Sequence, residues 1–324
     1  MAYRPYKKNA NGTLTDIPLY ADMADKDGNG NNIVATYQRI MYDLVITNQT
    51  EFDAFMTKLK NSSCNSKNVL IINNGTAYSF TSTGAIKLKT TLKRIDGWGN
   101  PTINIIDAQQ GNYSTAQFYY STQPTTSDYG MKNITFNCTG KSDATIYILK
   151  NMINIENVKV VLNASGMAGC FSNCDNIKDC YAEIHSGGGS WTITAFSSCD
   201  NVINCNGYAY VADTSSYPVA FGSCTNLVNC YGYANGTTKE PDAFYQCTSL
   251  CNCVGTAVCT ETYGRAFCAC SLMVNCLANS SSSTTGHGQG YCGCSYGSNC
   301  KAGEITHEVT YGTMTKWDTG SCDS

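Results

Sequence analysis

Six times between residues 171 and 300 the chain repeats one pattern: an aromatic residue, a Cys three positions later, and a second Cys six positions after that. The copies open at Phe171, Phe196, Phe221, Phe244, Phe267 and Tyr291. Their pairs are Cys174/Cys180, Cys199/Cys205, Cys224/Cys230, Cys247/Cys253, Cys270/Cys276 and Cys294/Cys300. Successive copies start 25, 25, 23, 23 and 24 residues apart. A period of this length with constant internal spacing marks a solenoid in which each copy is one coil. Between the cysteines runs an apolar column, Ile177, Val202, Leu227, Leu250 and Met273, ending at Gly297. Just before the second cysteine stand Asp179, Asn204, Asn229, Asn252, Asn275 and Asn299. Asn tolerates the left-handed conformation of a tight corner and its amide can bond from coil to coil, so this column reads as an Asn ladder.

Twenty cysteines would suit a disulfide-stapled secreted domain, with metal sites as a further alternative. Here they recur in register with the coil. Equivalent positions on adjacent coils lie about 4.8 Å apart, whereas a disulfide wants Cβ atoms at about 3.5–4.5 Å. The expectation is therefore reduced thiol columns, buried in a dry core as small apolar fillers. Cys251-x-Cys253, Cys268-x-Cys270 and Cys292-x-Cys294 are spaced like metal-ligand pairs but share no common repeat position, and His185, His287 and His307 share no spacing. No metal or cofactor is assigned.

Charged residues make up 14% of the chain, against about 25% in ordinary soluble domains. Between Cys170 and Cys300 the cations are Lys178, Lys239 and Arg265, too few to neutralise a phosphate backbone, so nucleic acid is not an expected partner. No run of 18 apolar residues exists and no membrane span is expected. The first 18 residues lack an apolar core, so no secretory signal is expected there either. Tyr208, Tyr210, Tyr231 and Tyr233 follow the second cysteine in strand-like segments; with one residue of each alternating pair facing outward, they form a possible ligand surface for a sugar or a protein. Paired carboxylates for glycoside chemistry are sparse. Asp175 and Asp200 hold one register, but Thr225, Thr248, Ser271 and Ser295 follow them, so no catalytic residue is assigned.

Ahead of the repeats, residues 51–59 carry Phe52, Phe55, Met56 and Leu59 at helical spacing behind a cap at Asn48 or Thr50. Strands are expected at 68–72, 85–89, 102–106, 117–120, 134–137 and 145–149, and residues 95–103 read as a glycine-rich turn. A capping helix, short strands and then Asp96-Gly97-Trp98-Gly99-Asn100-Pro101-Thr102-Ile103 resembles the entry of a pectate-lyase-like parallel β-helix. Ala-Phe-x-x-Cys at Ala195, Ala220, Ala243 and Ala266 partly resembles BspA-like leucine-rich repeats, though the second half of that repeat is missing. The opening, from Met1-Ala2-Tyr3-Arg4-Pro5-Tyr6 to Asp16-Ile17-Pro18-Leu19, resembles tail-fibre and appendage proteins of gut bacteriophages.

Together these give an all-β, right-handed, single-stranded parallel β-helix over 41–303, of about ten coils. A virion-attachment segment precedes it over 1–40, and a C-terminal cap or tail follows over 304–324, its strand-like piece at 304–311 closing the helix. The resemblance implies a non-enzymatic phage appendage, placed in the virion after assembly in the bacterial cytoplasm. It would contact other virion proteins through its N-terminus and a host-surface glycan or protein through the solenoid, as a homo-oligomer, by analogy a trimer. A tailspike depolymerase and a bacterial adhesin are the alternatives.

Overall fold

A computed structural model describes residues 6–8, 14–16, 42–109, 115–141, 145–187, 192–212, 216–237, 239–261, 263–282 and 288–305. Of the expected attachment segment it describes an antiparallel pair, Tyr6–Lys8 with Leu14–Asp16. Of the C-terminal piece it describes the end of the strand Lys301–Ile305. The rest of both, with His287, His307 and Cys322, lies outside the described residues.

The chain is an all-β parallel solenoid of about ten turns. Each coil lays one strand on each of three faces. The first face is a nine-stranded parallel sheet running from Ile86–Lys87 to Gly288–Cys292. In it Phe171, Phe196, Phe221, Phe244, Phe267 and Tyr291 are register partners. Their rings stack along the axis, with centroids 4.8, 4.8, 4.9 and 4.8 Å apart between the phenylalanines. Register alone therefore turns a sequence repeat into a continuous aromatic column.

The second face holds short strands such as Asp175–Lys178 and Asp200–Ile203, and here inward positions recur every third residue. Cys174, Ile177 and Cys180 are all buried at 1% exposure or less. An ordinary strand alternates, so a three-residue period needs a reset. Left-handed residues supply it: Asn173, Asn176 and Asp179 have φ of 50°, 53° and 54°. Each coil repeats the device, as at Ser223, Asn226 and Asn229. The left-handed conformation costs about 1–2 kcal/mol for most residues and least for Asn and Asp, which explains their abundance here. The device also begins one coil before the cysteines, at Asn151, Asn154 and Asn157, with Met152, Ile155 and Val158 inward.

Side-chain amides link the last corner of each coil. Asn204 Nδ2 donates to Asp179 Oδ1 at 3.0 Å, Asn229 to Asn204 at 3.1 Å, and Asn252 to Asn229 at 3.2 Å. Asn275 continues to Asn252 at 3.2 Å and Asn299 to Asn275 at 2.6 Å. Asn229→Ala removes two of these bonds and puts a poor residue in a left-handed corner. The expected loss is about 2 kcal/mol of stability, read by urea unfolding, with Asn229→Gly recovering the backbone part.

All nineteen described cysteines are free, and seventeen of them are buried. The repeat thiols are not the purely apolar fillers that their spacing suggested, because they reach carbonyls on their own and the preceding coil. Cys224 Sγ lies 3.4 Å from both Gly222 O and Phe196 O. Cys230 Sγ lies 3.5 Å from Val228 O on its own coil and 3.3 Å from Val202 O on the one before. Cysteine suits both columns because it is small, tolerates full burial and is still a weak donor. Alanine would fill less space and leave those carbonyl contacts unmade. Burial pushes thiols such as Cys138 and Cys170 well up, keeping them protonated.

At the entry, the helix Gln49–Lys60 is capped by Asn48, whose side chain accepts from the Glu51 amide. Phe52, Phe55, Met56 and Leu59 are buried and close the open end of the core. The turn expected at 95–103 is narrower than the sequence suggested. Arg94–Trp98 is a strand pairing with Asn68–Ile72, and the bend is confined to Gly99 and Asn100, with φ of 71° and 53°. Gly97 is small because a Cβ there would sit 2.0 Å from Asn133 O on the next coil.

Candidate functional site

The third face carries the tyrosines. In Tyr181–Ser186, Asn206–Val211 and Tyr231–Gly236 burial alternates strictly. Ala182, Ile184, Ala209 and Ala234 point inward. Tyr181, Glu183 and His185 lie half-buried on the outside, as do Tyr208, Tyr210, Tyr231 and Tyr233. Tyr208 and Tyr210 are two apart on one strand, as are Tyr231 and Tyr233, so all four share the outer face.

Register then gathers them. Tyr208 pairs with Glu183 and Tyr233, and Tyr210 with His185 and Asn235. The His185 ring stacks on Tyr210 at 4.7 Å and 5°, close to the coil spacing of about 4.8 Å. Tyr208 and Tyr210 are parallel within 4° with centroids 6.4 Å apart on one strand, and form a side-by-side aromatic shelf. Tyr181 lies against Tyr208 at 5.1 Å, and Tyr233 against Tyr210 at 5.4 Å. Lys159 Nζ sits 4.6 Å from the Tyr181 centroid. Neighbouring coils thus cover much of the ring faces, leaving edges and hydroxyls for a partner. The column ends at Tyr233, whose register partner on the next coil is Thr256.

A carboxylate organises one end of the shelf. Glu183 accepts from the Tyr181 hydroxyl at 2.6 Å, and His185 Nε2 lies 2.6 Å from its other oxygen. Burial pushes the Glu183 carboxyl up, but hydrogen bonds from Tyr181 and His185 outweigh this and hold it below its ordinary value. Burial and the Glu183 charge push the Tyr210 hydroxyl up to about 12, and burial also raises Tyr208. At neutral pH the face therefore offers protonated hydroxyls around one fixed anion. The sequence reading did not place Tyr181, Glu183 and His185 on this face, because Glu183 and His185 occupy positions where later coils have tyrosine. Aligning the first copy on its cysteines would have found these three, but not Lys159, which lies on the preceding coil without a cysteine pair.

The structural column residues lie apart from this face. The phenylalanines line the core, and the Asn column edges the second face. The paired cysteines are core residues without exception: Cys174, Cys180, Cys199, Cys205, Cys224, Cys230, Cys247, Cys253, Cys270, Cys276, Cys294 and Cys300 are all buried and free. Cys230 shows what this means for the site. It precedes Tyr231 directly, yet it is 1% exposed while Tyr231 stands outside, so no repeat thiol is available to a partner of the tyrosine face. Cys253, Cys270 and Cys294 point into the core while Cys251 and Cys292 are half-buried at the surface, so the Cys-x-Cys pairs do not converge on one point. Asp175 and Asp200 are register partners, as their shared repeat position implied. Their oxygens accept from neighbours, Asn201 Nδ2 to Asp175 at 2.8 Å and Asn226 Nδ2 to Asp200 at 2.9 Å.

A separate outer groove of about 370 Å³ is lined by residues including Arg94, Lys132, Asn154, Glu156, Asn176 and Lys178. Among the described residues its one carboxylate is Glu156, which ion-pairs with Lys132 and lies 3.8 Å from Lys178. The hydrogen bond from Lys132 holds Glu156 below its ordinary value, opposite to what a proton-donating carboxyl needs.

No protein-family model matches the chain, and no curated protein sequence matches it. Among solved structures it is similar to the crystal structure of bacteriophage CBA120 tailspike protein 3, at 11% identity and a TM-score of 0.22. The match covers 83% of this chain and 57% of that one, so the chain spans less than two thirds of that tailspike.

Proposed function

We propose that the protein is a structural phage appendage of tail- or head-fibre type, whose solenoid binds a host-surface glycan or protein through its tyrosine face. The observation that carries the reading is the convergence of Tyr181, Tyr208, Tyr210, Tyr231 and Tyr233 around Glu183 and His185 on one outer face. Amphipathic rings with hydroxyl edges suit a polyhydroxylated partner, making hydrogen bonds without a large change in side-chain order. The opening sequence supports placement in a virion through residues 3–19, and the thiol-rich core fits assembly in a reducing cytoplasm.

Side-by-side association, as a trimer, is the assembly we favour. Ile203 and Val274 form part of an outward column and are 38% and 42% exposed. Beside that column, Leu272 and Tyr296 are 52% and 56% exposed despite left-handed φ of 54° and 56°. Bulky residues are unfavourable in such corners, and a neighbouring copy covering them would offset that cost. Light scattering at several protein concentrations tests the assembly.

The binding test is an array of bacterial surface polysaccharides probed with the full chain and with Tyr208→Ala/Tyr233→Ala. A lost hot-spot contact of about 2 kcal/mol corresponds to roughly thirtyfold weaker binding. Unchanged binding of the variant to every glycan the full chain retains would remove this face from the function. Asp175 and Asp200, in register on adjacent coils, are the feature that favours a depolymerase, and release of new reducing ends from a bound polysaccharide would establish it.

A further inference from the structure

Cys268 and Cys292 differ from the other cysteines in where their thiols lie. They are direct register partners at the ends of Gly264–Cys268 and Gly288–Cys292. Both occupy the column that holds Ser172, Ser197, Gly222 and Tyr245 in earlier coils, outside the phenylalanine stack. Cys292 is half-buried and Cys268 is 7% exposed beneath it. On the same strand as Cys268 stands Arg265, held by Asp242 through bonds of 2.7 and 2.8 Å.

We propose that Cys268 and Cys292 form a thiol–disulfide exchange site that staples the last described coil to the one before it when the protein meets a low-molecular-weight disulfide. The Cys292 thiolate attacks one sulfur of the disulfide, forming a mixed disulfide and expelling one small thiolate. The Cys268 thiol then loses its proton to solvent and attacks the Cys292 sulfur, expelling the second small thiolate. Two protein thiols are oxidised, one small disulfide is reduced to two thiols, and no other reactant is needed.

The geometry permits this pair and disfavours the interior columns. Adjacent parallel strands place Cα atoms about 4.8 Å apart, inside the window of about 4.4–6.8 Å for a disulfide, and the Cβ atoms need only a small approach. Gly288–Cys292 is the end strand of its sheet among the described residues, hydrogen-bonded to a neighbour on one side, so it can make that approach. Interior thiols such as Cys224 and Cys247 are fully buried between strands on both sides, closed to an oxidant. The hydrogen bond from Cys268, with the Arg265 charge beside it, holds the Cys292 thiol down at about 7. The same bond, together with burial, raises Cys268. Cys292 is thus the attacking thiol and Cys268 the resolving one. Cys251 provides an internal control: it too is half-buried, but its register partners are Val228 and Val274, with no thiol to resolve an adduct.

The test treats the reduced full chain with glutathione disulfide and maps the products by peptide mass spectrometry. The expected result is a Cys268–Cys292 cross-link, two thiols lost at that pair and no glutathione retained there. Cys268→Ser should instead keep one glutathione on Cys292, modified at least tenfold faster than Cys251. Absence of the cross-link from the wild-type chain overturns the proposal, as does a Cys268→Ser variant in which Cys251 and Cys292 react at equal rates.

Discussion

Phe221→Ala is expected to lower the unfolding free energy by about 3–5 kcal/mol, the cost of emptying a fully packed aromatic site. Phe221 is fully buried and stacks on Phe196 at 4.8 Å and on Phe244 at 4.9 Å. Both neighbours keep their own strands, so the vacancy lies between two fixed rings and collapses poorly. Because each coil contacts chiefly its neighbours, the damage should be local. Hydrogen exchange should rise most in Thr192–Ser197, Tyr217–Gly222 and Asp242–Tyr245, with the entry helix unaffected. A uniform rise along the whole chain would show that the solenoid unfolds as one unit and would contradict the nearest-neighbour picture.

Gly232→Val should be nearly as damaging, by about 3 kcal/mol, through overpacking rather than a cavity. A Cβ at Gly232 would meet Ala243 O at 2.8 Å and Phe244 Cε2 at 2.9 Å. Gly207 and Gly255 face equivalent rings, with Phe221 Cε2 and Phe267 Cε2 each 3.0 Å away. The column is narrow because the phenylalanine stack crosses the core to reach it. If the neighbouring ring is what excludes a side chain, Phe244→Leu should restore part of the stability lost in Gly232→Val. A double mutant no more stable than the sum of the two changes would place the conflict at the Ala243 carbonyl instead.

The outer tyrosine face and the core share one physical origin. Stacked rings at coil spacing appear inside, as Phe171 to Phe267, and outside, as His185 on Tyr210. Inside they exclude water. Outside the same stacking covers ring faces and presents hydroxyls, so the face suits hydrogen-bonded contact more than stacking of a partner on open ring faces.

Much of the architecture was legible from residue spacing alone. The Phe–Cys–Cys period implied a parallel solenoid, and the helical stripe from Phe52 to Leu59 identified the element that closes its entry. Spacing also put the thiols inside, but not the carbonyls they meet there, such as Val202 O for Cys230, which lies 28 residues back along the chain. Coils without cysteine were harder to see. Asn151, Asn154 and Asn157 follow the same left-handed pattern with Met152, Ile155 and Val158 inward, but no cysteine pair announced them. Residues 95–103 misled because Gly97 is small for a close approach between coils, a contact that local sequence does not contain.

By itself the sequence determined the period, the inward columns and the low charge, since these are properties of residues a fixed distance apart along the chain. The tertiary structure alone decided what meets across coils outside the repeats, such as Lys159 with Tyr181 and Gly97 with Asn133. The physical reason is register. Loop lengths differ from coil to coil, and backbone hydrogen bonds between parallel strands, not spacing along the chain, choose which side chains become neighbours.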